Sequence, residues 1–206
     1  MSLIKSLLIG SEGSYNIAGI QVDYKDDASF RYSGTFLDRK GWISTLANQC
    51  LASNVFRLSS QGYLHLLVHE MGHALAYKLF TGKNASIEVN TGSCTAVTYF
   101  SEWHHLAPWQ CSVIDAAGPL TNVAFAVSKI VAATALRSYI STPVALVVSG
   151  GASLWIAGEV VYAYTSAMAQ GEGDFGKIAQ RCKKHLTAAS VALIGQVALG
   201  ALAVAC

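Results

Sequence analysis

The chain has 206 residues, 52% of them apolar and only 13% charged, against roughly 25% charged in an average soluble domain. Fourteen Lys and Arg against twelve Asp and Glu leave a net charge of +2, too balanced for a nucleic-acid-binding surface. With a mean hydropathy of +0.39, this composition excludes a disordered chain and points to one domain of moderate size in a membrane.

The first ten residues carry Lys5 within a short apolar stretch, with Glu12 close behind, which is not the pattern of a signal peptide. Residues 1–58 hold six of the fourteen cations and five of the twelve acids. Alternation in Ile20-Gln21-Val22-Asp23-Tyr24 and in Phe30-Arg31-Tyr32 predicts short strands wet on one face. This segment reads as a polar N-terminal cap on a membrane-embedded domain, 59–206. The cysteines (Cys50, Cys94, Cys111, Cys182 and Cys206) are odd in number and form no CxxC pair, so isolated reduced thiols are expected rather than a disulfide framework or a thiolate zinc site.

Four apolar stretches follow, at 59–80, 112–136, 143–169 and 186–206. A helix needs about 20 mainly apolar residues to cross a bilayer, and each stretch is long enough. Small residues are dense at Ala116-Ala117-Gly118, at Gly150-Gly151-Ala152-Ser153, and at Gly195 and Gly200, as suits close helix packing in lipid. The expected fold is therefore mainly α: a polytopic membrane helical bundle of about four spans, with both termini on one face. Between the first two spans, 86–89 and 94–100 predict a small β-hairpin around Asn90-Thr91-Gly92. Residues 170–185 read as a second polar loop. A soluble helical bundle is the competing reading, disfavoured because successive stretches this long rarely fit a soluble core of this size.

The sharpest feature is His69-Glu70-Met71-Gly72-His73, set inside an apolar helical run. On a helix the two histidines lie one turn apart and point the same way, so both imidazoles can bind one zinc ion. Glu70 then stands beside the metal, where it can take a proton from water activated by zinc. Burying these groups in an apolar span is costly, which argues for function. His65, one turn earlier, reads as a neighbour, because a catalytic zinc keeps an open position.

A catalytic zinc takes three protein ligands, and the metzincin third histidine is missing, since Leu79 stands at its position. Candidates are Glu88, Glu102, His104, His105, Asp115, Glu159, Glu172 and Asp174. Asp174 is preferred because the glycine-rich break Gly171-Glu172-Gly173-Asp174-Phe175-Gly176 lets backbone and carboxylate turn inward; Glu172 is its rival. In Ala116-Ala117-Gly118-Pro119-Leu120-Thr121-Asn122, Pro119 suits a first helical turn and Gly118 a close helix contact. Asn122 needs hydrogen-bond partners, supplied by a neighbouring helix or by substrate; it is the substrate-binding candidate. Trp103 and Trp109 around His104-His105 suit an interfacial aromatic belt.

HExxH in an apolar helix, a hairpin segment, Gly118-Pro119-x-x-Asn122 and then Asp174-Phe175-Gly176, in that order, resembles the site-2 protease family of intramembrane zinc metallopeptidases. The likeness covers roughly residues 64–180. The family's metal-binding Asp-Gly falls on Asp174, with Phe175 in the glycine's place, and its Asn-x-x-Pro stretch has no counterpart in 166–170. The resemblance implies zinc held by His69, His73 and Asp174, cleavage of membrane-spanning protein substrates in the lipid bilayer, and an active site facing the cytoplasm. The alternatives are a catalytically silent membrane protein that binds metal or helices, and a soluble zincin; the intact Glu70 argues against silence. No nucleic-acid partner is expected, and the oligomeric state is not encoded legibly.

Overall fold

The computed structural model describes residues 12–25, 62–92, 95–168, 173–182 and 195–196. The expected strand at Phe30–Tyr32, Glu172, Cys50, Cys94, Cys206 and nearly all of 186–206 lie outside them. Two compact units divide the chain, 1–118 and 119–206.

The first unit is built on a four-stranded mixed sheet in the order β1-β2-β3-β4. Strands β1 (Gly13–Ile17) and β2 (Ile20–Lys25) form an antiparallel hairpin. Its tight turn places Ala18 and Gly19 at φ of 54° and 83°, the left-handed pair that matches the strand twist. β2 then runs parallel to β3 (Ser86–Asn90), with Val22 opposite Ile87 and Tyr24 opposite Val89. β3 turns back into β4 (Thr95–Tyr99). The hairpin expected at 86–100 is present, but as half of a larger sheet.

Helix α1 (Gly62–Thr81) covers one face of that sheet. Its Tyr63, Leu67, Ala74 and Tyr77 share one core with Ile20, Val22 and Tyr24 of β2 and Ile87 and Val89 of β3. Alternation along the strands supplies the inward set, and helical spacing supplies the stripe that meets it. Both buried tyrosines keep their hydroxyls paired. Tyr63 Oη donates to the Thr91 carbonyl at 3.0 Å, and Tyr77 Oη accepts from the Glu102 amide at 3.0 Å. These bonds tie the two ends of α1 to the segments leaving β3 and β4.

Helix α2 (Pro108–Ala135) begins in the first unit and continues into the second. Pro119 therefore lies well inside a helix and not in a first turn as expected, because Pro108 opens the helix. A proline there offers no N–H to the Asp115 carbonyl one turn back. The second unit contains the rest of α2, α3 (Thr142–Met168) and α4 (Gly173–Cys182). α2 and α3 pack through Ala126, Ile130 and Ala152, and α3 and α4 through Ala163, Ala167 and Phe175. Alanines thus line both helix contacts. Among the described residues, a Cβ added at Gly150 or Gly158 would meet nothing within 4 Å.

The four-span bundle is corrected by this architecture. Among the described residues two helices, α2 and α3, are long and apolar enough to cross a membrane. The first expected span is instead the sheet-covering α1. Its Tyr63, Leu67, Ala74 and Tyr77 pack on strands, and with His65, His69, Glu70, His73 and Lys78 along its length it falls short of the apolarity of a span. The expected fourth span lies almost entirely outside the described residues. With the count of crossings gone, the argument that placed both termini on one face goes too. The polar loop at 170–185 is corrected as well, since most of it forms α4.

Candidate metal centre

His69, Glu70 and His73 each offer a ligand atom, and these atoms all lie within 4.8 Å of one another. The cause is local: consecutive turns of α1 put both imidazoles on one face. The rings approach edge to face, with centroids 4.9 Å apart. His73 and Glu70 are buried, and His69 is half-buried.

The ring of His73 is held from behind. Its Nδ1 lies 2.6 Å from the Ile114 carbonyl of α2. A carbonyl can only accept, so Nδ1 carries the proton and Nε2 keeps the lone pair that a metal needs. Gly118, one turn further along α2, abuts the other edge of the ring. A Cβ built there would overlap Nε2 and Cε1 of His73 and stand 2.8 Å from Nε2 of His69.

Glu70 is anchored from the sheet. Thr98 Oγ1 donates to Glu70 Oε2 at 2.6 Å and lies 3.2 Å from the Glu70 carbonyl. Register explains why a threonine reaches it: Thr98 pairs with buried Ile87 and so shares its face, towards α1, while Val97 and Tyr99 point outward and are half exposed. β4 is an edge of the described sheet.

Comparison with protein-family models, with curated proteins and with solved structures finds no match to this chain. The site is therefore read on its own chemistry. Two imidazoles with one tautomer fixed, a carboxylate beside them and a side-chain-free wall fit a divalent cation, and the group can hold a metal ion.

The other sequence candidates are described by their own local contacts. Glu88 pairs with Lys25 at 2.6 Å on the far face of β3, and Glu102 pairs with Lys83. His104 and His105 are exposed in a short 3₁₀ turn. Asp115 is buried one turn before Gly118 on α2, and His65 is fully buried. In the second unit, Asn122 is 2% exposed, and its amide nitrogen donates to Glu159 Oε1 at 2.5 Å, joining α2 to α3. Asp174 opens α4 beside Gly173, whose φ is 64°. Its Oδ2 accepts from Tyr162 Oη at 3.1 Å, and its amide donates to the same oxygen at 3.0 Å. The Gly176 amide donates to Ser166 Oγ at 3.0 Å, so α3 grips the start of α4 at two points.

Sequence reasoning missed Thr98 and the Ile114 carbonyl, and it read Gly118 only as a packing residue. A threonine at an inward strand position was the one available signal for the first. A backbone carbonyl leaves no signal at all.

Proposed function

We propose that this chain is a membrane-embedded zinc metallopeptidase that hydrolyses peptide bonds of membrane-spanning substrates. The observation that carries this reading is the convergence of His69, Glu70 and His73 in a chain that also holds two helices of membrane length.

A zinc ion, if bound here, would supply Lewis acidity for the scissile carbonyl and for the attacking water. His69 and His73 would hold it, His73 through Nε2 because Ile114 fixes its tautomer. Glu70 removes the proton of the attacking water as the new C–O bond forms. It then delivers that proton to the leaving amine as the C–N bond breaks. Thr98 holds Oε2 of Glu70 and leaves Oε1 as the basic atom. A helical substrate must first unwind, since its peptide bonds are shielded by their own hydrogen bonds. Beside Glu70, β4 is the edge of the sheet among the described residues, a place where an extended chain can pair. Asp174 as third ligand and Asn122 as a substrate contact are proposed from the sequence pattern.

The deciding experiment uses full-length protein purified in detergent. Metal content is measured beside cleavage of a membrane-spanning peptide in proteoliposomes. The wild type is expected to hold one equivalent of zinc and cleave. Glu70→Gln should hold zinc without cleaving, and His69→Ala should do neither. Zinc binding without cleavage by the wild type would move the assignment to a silent metal-binding membrane protein.

A further inference from the structure

Helix α2 meets the HExxH helix over one turn, from Ile114 to Gly118, and that turn touches both edges of a single imidazole. Ile114 takes the Nδ1 proton of His73 at 2.6 Å. Gly118, four residues on and therefore on the same face of α2, borders the opposite edge. The three atoms nearest to a Cβ built at Gly118 are Nε2 and Cε1 of His73 and Nε2 of His69, the last at 2.8 Å. Two of the three are the atoms whose lone pairs would hold a metal. A glycine needed only for helix packing would find its virtual Cβ against the backbone or the carbon side chains of the opposing helix.

Backbone conformation does not call for glycine here. Gly118 lies inside a continuous helix and is not among the residues with positive φ, and within a helix glycine is less favourable than alanine. Space is the remaining reason. We propose that Gly118 is a positioning residue of the metal centre: its missing side chain keeps clear the space in front of the His69 and His73 Nε2 atoms. With any side chain at 118 the two rings must swing apart and no longer face one ion. The inference rests on the metal-centre reading of His69 and His73 and adds a residue that acts on it without ligating.

The test uses the full chain in detergent, stripped of metal, with Co²⁺ as a visible probe of coordination. Gly118→Ala is expected to bind Co²⁺ at least about tenfold more weakly than the wild type, the scale on which residues supporting metal ligands act. Its d–d spectrum should also change. A second measurement covers the chance that Gly118→Ala misfolds: thermal midpoints without metal, in the wild type and in a His69→Ala/His73→Ala background. With both imidazoles removed, Gly118→Ala should not lower the midpoint, and the better helix propensity of alanine should raise it; with them present it should lower it. Gly118→Ala with wild-type Co²⁺ affinity and spectrum would overturn the role of Gly118 and leave the metal centre standing. An equal loss of stability in both backgrounds would assign Gly118 to packing and overturn the proposal. A wild type that binds neither Co²⁺ nor Zn²⁺ would overturn the metal-centre reading, and this inference with it.

Discussion

Replacing Thr98 with valine keeps the shape of the side chain and deletes the hydroxyl that donates to Glu70 Oε2 at 2.6 Å. A hydrogen bond to a charged group is worth about 1.5–3 kcal/mol. At 1.36 kcal/mol per factor of ten, losing it from the general base corresponds to about a ten- to hundredfold fall in turnover. The strand should survive, because valine suits a β-position and the inward face of β4 already packs against α1. Metal should also survive, because the histidine ligands are untouched. The assay is the proteoliposome cleavage rate per bound zinc, with Thr98→Ser as a rescue that restores the donor. Wild-type turnover in a zinc-loaded Thr98→Val protein would refute the reasoning, since it would show that the base needs no support from the sheet. Loss of zinc in that variant would refute it from the other side, by making Thr98 a structural prop of the site.

Leu154, near the middle of α3, is 75% exposed; if α3 spans a bilayer, Leu154→Lys should cost about 2.5–3.5 kcal/mol at the membrane centre and lower membrane integration, read by fractionation, whereas detergent-free, soluble Leu154→Lys protein would exclude the span. Asp174→Ala should weaken zinc binding and stop turnover if Asp174 is a ligand, and unchanged zinc stoichiometry would remove it from the site. Burial pushes the phenol of Tyr24 well above its ordinary value, and its hydroxyl has no hydrogen-bond partner among the described residues. The folded state then holds that proton more tightly than the unfolded chain. The resulting stability is complete below a pH of about 10 and is lost as pH rises through the alkaline range. Tyr24→Phe should flatten this alkaline loss and add about 1 kcal/mol at neutral pH; a destabilised variant in urea titrations would show that the hydroxyl is paired after all.

What the sequence determines here is whatever depends on near neighbours along the chain. Histidines four residues apart in an apolar helical run face one way whatever surrounds them, so His69 and His73 were legible as a pair, with Glu70 beside them. Length and hydropathy likewise marked α2 and α3, and the Asn90-Thr91-Gly92 turn marked the β3–β4 hairpin. The sequence says that the HExxH helix needs an apolar partner but not which one. Its partner was fixed when β2 and β3, separated by the whole of α1, paired in parallel to present Ile20, Val22, Ile87 and Val89. The same long-range closure set Thr98 against Glu70 and the turn Ile114–Gly118 against His73. Those contacts join residues 28 and 41 positions apart, and one of them is made by a backbone carbonyl that every residue possesses. No local pattern encodes such a meeting, because it exists only after the core has fixed the distance between α1, the sheet and α2.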